Sequence, residues 1–314
     1  MRTLIVGAGA TGGYYGARLA ESGADVTFLV RPARAEKLAA NGLVLHSPLG
    51  DLHLAAPPTV TADTLAQAGA FDLVLLSCKA YDLDSAIADL APAVGPQTAI
   101  LPVLNGLSHL DTLDAKFGAE RVLGGCCAIA ATLAPDGAIR HMSELCSITY
   151  GERDGSRSAR IAAIDDLIRG LKFQARLSDV ILLEMWEKWV FLASLAGATT
   201  LMRAAVGDIV SAPGGAALIA ALHTECTAVA AASGFEPRGV VAERARAQLT
   251  AEGSTFTASM LRDIENGGRI EADHVIGDLI ARAGRLAPEA TFPVLEQVYA
   301  GLKAYEARRA REAA

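Results

Sequence analysis

Near its start the chain places an apolar run, Leu4-Ile5-Val6, directly before Gly7, Gly9 and Gly12. Helix-like sequence follows over residues 14–22, then a second apolar run over 26–30. Few backbones accommodate that order. Glycines at G-x-G-x-x-G spacing between a strand and a helix make a tight turn, open the backbone to a ligand, and let helix and strand pack closely. The helix N-terminus behind them offers unpaired N–H groups and a positive dipole end, which favour an anion such as a pyrophosphate. The segment therefore predicts the first βαβ unit of a doubly wound sheet. It would hold a dinucleotide on Gly7, Ala8, Gly9, Ala10, Thr11 and Gly12.

The end of the second apolar run bears on which dinucleotide. An NAD site carries Asp or Glu about 20 residues past the glycines, to bind the ribose 2′-hydroxyl. This chain instead has Val30-Arg31, with Arg34 one turn on and no acid at that place in the sequence. A guanidinium suits a 2′-phosphate through paired charge-assisted hydrogen bonds. The expected cofactor is NADP.

With 314 residues, the chain exceeds one ordinary domain, so two are expected. It is 52% apolar and 20% charged, with a net charge of −7. That balance describes a packed globule and argues against a general nucleic-acid or membrane-surface binder. An anionic substrate then needs local positive groups. No signal peptide is read at the start, and no apolar run approaches the ~20 residues of a membrane span. Cys78, Cys126, Cys127, Cys146 and Cys226 show no C-x-x-C spacing, and the six histidines show no ligand spacing. The expectation is buried thiols in a reducing cytoplasm and no metal.

Short apolar strands alternate with helical stretches as far as Ser178. Residues 71–77 form a strand whose unbroken apolar run, Leu73 to Leu76, is of the kind buried in a parallel sheet, ending at Cys78-Lys79-Ala80. A further strand over 98–104 ends at Asn105-Gly106. This is the pattern of a doubly wound α/β sheet with right-handed crossovers, in which ligands bind beyond the carboxyl ends of the strands. The glycine loop, Arg31, Lys79 and Asn105 all fall at such ends. Beyond Ser178 the pattern turns helical: 180–195 with Asp179 as a cap, then 216–233, 240–251, 256–265, 273–282 and 293–311. The expected division is a Rossmann-type domain over 1–178 and an all-α domain over 179–314, whose long helices could supply a homodimer interface.

Trp186-x-Lys188, Ser259-Met-Leu-Arg-Asp-Ile264 and Ile270-Glu271-x-Asp273, in this order after the glycine loop, Arg31, Cys78-Lys79-Ala80 and Asn105-Gly106, resemble the ketopantoate reductase (2-dehydropantoate 2-reductase) family. The resemblance covers essentially the whole chain. It implies a Rossmann domain, a helical second domain, a cleft between them, and reduction of a 2-keto acid by NADPH, by default 2-dehydropantoate to pantoate in pantothenate biosynthesis. It further implies that Lys188 protonates the carbonyl oxygen, that Asn105 touches the nicotinamide side and the substrate, and that Ser259 binds substrate. Glu271 would lie near the nicotinamide ribose and the lysine, and Ala131 would make a backbone contact to the cofactor.

The chemistry also has a physical basis, because hydride transfer to a ketone builds negative charge on oxygen, which a positioned cationic donor stabilises. Taken from the residues alone, Lys188 reads first as a surface lysine paired with Glu184 at i−4, and the resemblance is what turns the reading to catalysis. On the same terms Asn105-Gly106 reads as a turn, Ser259 as a helix-face hydroxyl and Glu271 as a surface acid. Lys79 reads as a solvated loop lysine or a phosphate or substrate contact. His109 and His274 read as bystanders.

The chain departs from the family pattern at three pocket asparagines, which are Leu192, Ala196 and Val206 here. Buried polar contacts discriminate strongly between substrates, so the substrate is the least constrained part of the reading. One alternative is a relative that reduces a less polar 2-keto acid; another is a non-catalytic NADP-binding sensor. A β-hydroxyacid dehydrogenase would want an asparagine where Leu192 stands. Arg203 is a candidate to bind a substrate carboxylate in place of the lost amides, or else to form a structural salt bridge.

Overall fold

A computed structural model describes residues 1–313. The chain forms two compact units: Met1–Leu104 with His109–Ile181, and Asn105–Ser108 with the chain from Leu182 onward. In order, the elements up to residue 177 are β1 (Arg2–Val6), α1 (Ala10–Glu21), β2 (Asp25–Leu29), α2 (Pro32–Asn41), β3 (Leu43–His46), β4 (Leu52–Leu54), β5 (Thr59–Val60) and α3 (Ala62–Ala68). They continue as β6 (Phe71–Leu76), α4 (Leu83–Leu90), β7 (Val94–Pro102), α5 (Ser108–Phe117), β8 (Gly124–Leu133), β9 (Ile139–Gly151), α6 (Ala159–Ile168) and β10 (Gln174–Leu177).

Five strands make a parallel sheet in the order β5-β2-β1-β6-β7. Past exposed Arg2 and Asp72, β1 and β6 are buried, and their runs Leu4–Val6 and Leu73–Leu76 are wholly apolar, as a helix-covered parallel sheet requires. Val6 pairs with both Leu29 and Leu76, and Leu76 with Pro102. The carboxyl ends of β1, β2, β6 and β7 are therefore level, and the glycine loop, Arg31 and Lys79 leave the sheet at one edge. The sequence pattern suggested a single sheet. The remaining strands instead form a second, mixed sheet, β10-β9-β3-β4, with β8 antiparallel on β9. Period and apolarity alone do not say which strands pair.

Helix α1 lies against both sheets and is buried from Gly12 to Leu19. Two glycines beyond the turn motif make this fit possible. A Cβ on Gly16 would sit 2.5 Å from Phe28 Cε1 of β2 and 2.9 Å from Ile5 Cγ1 of β1, and one on Gly13 would sit 2.4 Å from Ile139 Cδ1 of β9. On the same helix Tyr15 Oη donates to the Ser147 carbonyl of β9 at 2.8 Å.

The second unit is built on α7 (Ile181–Met202), followed by α8 (Val206–Ser211), α9 (Gly215–Ala232), α10 (Gly239–Leu249), α11 (Ser259–Glu265), a π turn (Asp273–Gly277), α12 (Asp278–Leu286) and α13 (Pro293–Ala313). Helix α7 runs two turns beyond the expected end near 195. The β-branched pair that weakens the helical signal there is accommodated by back-bonding: Thr199 Oγ1 donates to Leu195 O at 2.7 Å and Thr200 Oγ1 to Ala196 O at 2.6 Å. Asp179, expected as a cap, pairs with Arg157 at 2.5 Å, while Ser178 Oγ accepts from Val180 N at 3.1 Å. Helix α9 is long and apolar enough by composition to cross a membrane, contrary to the expectation that no segment approaches this. It packs on α8, α12 and α13, and its Glu225 accepts from the backbone N–H groups of Val294 and Leu295 at 3.1 and 2.7 Å. Residues 273–277 were expected to be α-helical. They are π-wound, and Trp189 Nε1 of α7 donates to the Val275 carbonyl at 2.8 Å.

Gly16→Ala should lower stability by about 1–3 kcal/mol through overpacking. Gly284→Ala, in α12 with open space around it, should raise it by roughly 0.5–1 kcal/mol from helix propensity. Urea midpoints of the two variants and the parent protein check both signs.

Candidate active site

In the first unit, Gly7 holds φ +93, a left-handed conformation that turns the chain out of β1, and its N–H still donates to Leu29 O at 2.9 Å. Gly9 is the N-cap of α1 and provides no side-chain cap. The first-turn N–H groups of Ala10, Thr11 and Gly12 have no partner within the helix. A Cβ on Gly9 would enter open space, whereas one on Gly12 would lie 2.2 Å from Ser77 Oγ and 2.3 Å from Gly7 O. Ser77 Oγ donates to Val6 O at 3.2 Å, so the chain leaving β6 is fastened to the end of β1 close beside Gly12. An uncapped helix start behind a loop of glycine and alanine fits the pyrophosphate of a dinucleotide.

Arg31 lies two residues past β2 and is the N-cap of α2, with its side chain 70% exposed. Its Nη2 lies 3.2 Å from Asp82 Oδ1. The sequence showed no acid near Arg31; the fold supplies one from the segment after β6. Arg34 turns inward: Nε donates to Ala8 O and Nη1 to Gly137 O, each at 3.1 Å. Its burial lowers the guanidinium pKa. Arg34 therefore braces the glycine loop from behind, leaving Arg31 as the outward cation of the pair. Lys79 is half-buried ahead of a short 3₁₀ turn (Ala80–Asp82). Ala131 pairs with His141 of β9 just past a bulge in β8.

In the second unit, half-buried Lys188 projects from α7, and its Nζ donates to Asn105 Oδ1 at 3.1 Å. Glu184 and Glu187, on the turn before it, are engaged by Arg238. Its Nη2 lies 3.4 Å from Glu184 Oε1, and its Nε donates to Glu187 Oε1 at 2.8 Å. Glu271 is buried just ahead of the π turn, and its charge acts on His274. Ser259 is the first residue of α11 and half-buried. His274 Nδ1 is 2.7 Å from Ser108 Oγ. Gly106, at φ +72, lies so close that a Cβ would fall 2.7 Å from the His274 carbonyl oxygen. Lys188, Asn105 and the His274 turn thus converge. Neither His274 nor Ser108 carries a sequence signal that separates it from an ordinary polar residue.

Arg203 does not join this group. It follows α7 fifteen residues after Lys188, about 22 Å at 1.5 Å per residue. It is exposed at φ +52, with its guanidinium 5.8 Å from the Tyr305 ring. It terminates the helix in a left-handed conformation and is not positioned for a substrate at Lys188.

The family profile for ketopantoate reductase PanE/ApbA matches residues 3–155, and the profile for its C-terminal part matches 180–306. The chain is 40% identical over 309 residues to the uncharacterized oxidoreductase YkpB of Bacillus subtilis (strain 168), covering 98% of this chain and 100% of that one. It is 30% identical over 322 residues to a 2-dehydropantoate 2-reductase of Mesorhizobium japonicum, covering 96% of each. The crystal structure of a 2-dehydropantoate 2-reductase from Geobacter metallireducens GS-15 matches with a TM-score of 0.87 at 29% identity, over 97% of this chain and 99% of that one. The chain belongs to the ketopantoate reductase family. It is an oxidoreductase with that family's Rossmann-like sheet domain and helical C-terminal domain.

Within this reductase family the chain's own features gather on one face of α7. Phe191 and Leu192 stand one turn beyond Lys188 and are half-buried. The Phe191 ring stacks on Phe256 at 6.2 Å, and Phe256 remains 46% exposed. Ala196 and Val206, at the other two asparagine positions, are buried in the helical core. Among the described residues no group of His, Cys, Asp and Glu side chains could hold a metal ion.

Gly9→Ala should leave the urea midpoint unchanged yet weaken dinucleotide binding, because its methyl group enters only the space a pyrophosphate would take. Gly12→Ala should damage both. NADPH titration by fluorescence together with urea unfolding separates the two; full-strength binding by Gly9→Ala would refute the placement.

Proposed function

We propose that this reductase converts a 2-keto acid to the 2-hydroxy acid with NADPH, with 2-dehydropantoate, giving pantoate, as the default substrate. The observation that carries the reading is the contact between Lys188 Nζ and Asn105 Oδ1 at 3.1 Å. An ammonium has three donors. With one committed to Asn105, the group is held in place while its other protons remain available to a substrate oxygen. Gly7–Gly12, Arg31, Lys79 and Ala131 would hold the dinucleotide, which when bound supplies the hydride that reaches the carbonyl carbon. Lys188 gives its proton to the carbonyl oxygen as charge develops there. Asn105 keeps the ammonium aimed, Ser259 binds substrate, and Glu271 contributes its charge beside the lysine. In this reading residues 1–178 serve the cofactor and 179–314 the substrate, in a cytoplasmic enzyme.

A second substrate class is favoured by Leu192 and the Phe191–Phe256 stack. Apolar groups one turn from the proton donor suit a 2-keto acid with an apolar side chain better than one with a hydroxyl, whose desolvation they would not compensate.

NADPH consumption should be measured against a panel that includes 2-dehydropantoate and 2-keto acids with branched or aromatic side chains. Lys188→Ala should lower kcat by about 10²–10⁴-fold, the range of a lost general acid, with NADPH affinity retained. Turnover of the apolar acids but not 2-dehydropantoate selects the second class. Absence of turnover with any acid would refute the reductase reading and favour a sensor.

Arg31→Ala should raise KM for NADPH by about 10–100-fold, the equivalent of one charge-assisted contact, and leave KM for NADH unchanged. Asp82→Asn, which removes the competing carboxylate, should shift preference further toward NADPH. Equal loss with both cofactors in Arg31→Ala would argue against 2′-phosphate recognition.

A further inference from the structure

We propose that His274 is a positioning residue that clamps the Asn105–Ser108 segment, so that Asn105 meets Lys188 in one geometry. The inference rests on reading Lys188 as the proton donor.

Three contacts hold the segment to the histidine. The imidazole Nδ1 is 2.7 Å from Ser108 Oγ. A hydrogen bond also joins the ring to the Asn105 backbone. Gly106 between them takes φ +72 and presses on the turn so tightly that a Cβ would lie 2.7 Å from His274 O, 2.8 Å from Cδ2 and 3.2 Å from Nε2. Only glycine combines that backbone conformation with that approach. The segment is thus seated on His274 at three of its four residues, Asn105, Gly106 and Ser108.

The other side of the contact is tied to the same turn. Trp189, next in sequence to Lys188, donates its indole N–H to the carbonyl of Val275, next in sequence to His274. The circuit closes. Lys188 leads covalently to Trp189, Trp189 by hydrogen bond to Val275, Val275 covalently to His274, His274 by hydrogen bonds to Ser108 and Asn105, and Asn105 by its side-chain amide to Lys188. Each half of the Lys188–Asn105 pair is referred to one rigid element, so displacing that element moves both. The π winding of residues 273–277 supports the role, because single π turns are costly departures from the α-helix and recur at functional sites. Burial lowers the His274 pKa, with the charges of Glu271 and Asp278 and the Asn105 hydrogen bond acting in the opposite direction. A neutral imidazole has one donor and one acceptor nitrogen, which matches a hydroxyl on one side and a backbone group on the other.

The test uses the full chain with His274→Ala, His274→Gln and Ser108→Ala, each also combined with Lys188→Ala. His274→Ala should lower kcat by roughly 10–100-fold, the scale of a misplaced catalytic group, with KM for NADPH unchanged. His274→Gln, which keeps a donor and an acceptor, should recover much of the loss. Neither His274→Ala nor Ser108→Ala should reduce activity further in the Lys188→Ala background. Should His274→Ala fail to fold, Ser108→Ala carries the same comparison. Undiminished kcat in both single variants, or losses that simply add to that of Lys188→Ala, would overturn the clamp. Two readouts do not depend on turnover. Amide exchange over residues 105–108 should quicken in His274→Ala, and the ¹³C-dimethylated Lys188 resonance should shift. If the parent protein reduces no 2-keto acid, the reductase reading fails while these two measurements still judge the clamp. Unchanged exchange together with an unchanged resonance would reject it.

Discussion

A lysine ammonium held partly out of water needs an acceptor, and Lys188 takes the side-chain oxygen of Asn105. Much of the second unit's construction follows from that requirement. Asn105 comes from the segment just after β7, far from α7 in sequence, so it must be captured by the helical unit. His274 and Gly106 achieve this capture, the one by hydrogen bonds and the other by lacking a side chain. Glu184 and Glu187, the acids that precede Lys188 on α7, pair with Arg238. The result is a cation fixed by a neutral amide, whose protons stay available; a carboxylate partner would hold them more strongly.

The first unit solves a different problem, which is to bring a helix N-terminus to a level sheet edge without side chains in the way. Glycine serves there in three distinct senses. Gly7 supplies a backbone conformation and Gly9 an empty space, while Gly12, Gly13 and Gly16 supply closeness to Ser77, Ile139 and Phe28. Arg34 adds a brace by donating to the Ala8 carbonyl from behind the loop. The outward Arg31 beside Asp82 then forms an electrostatically mixed patch rather than a purely positive one.

Much of the fold was legible because periodicity and turn chemistry are local. The apolar runs of β1 and β6, the glycine turn and most helices of the second unit follow from residue order. The failures have physical causes. Two threonines hid the last turns of α7 because back-bonding satisfies them, and the π winding of 273–277 preserves an apolar pattern that reads as α-helix. The second sheet was not foreseen because pairing between distant strands leaves no mark on local pattern. At the site, Lys188 and Asn105 stood out through family resemblance, whereas His274 read as a bystander and Arg203 as a carboxylate ligand or a salt-bridge residue; in the fold His274 meets Ser108 and Arg203 lies over the Tyr305 ring.

By itself the sequence determined the backbone conformations and the family: a strand–glycine–helix opening, a sheet domain followed by helices, and a lysine set among ketopantoate reductase motifs. Tertiary structure decided which groups meet. Asp82 sits beside Arg31, Ser108 is bonded to His274 across 166 residues, Lys188 is bonded to Asn105 across 83, and Phe256 stacks on Phe191. Backbone preference is encoded by neighbours along the chain. Charge pairing, hydrogen bonding and stacking depend on distance and direction in space, which residue order does not carry.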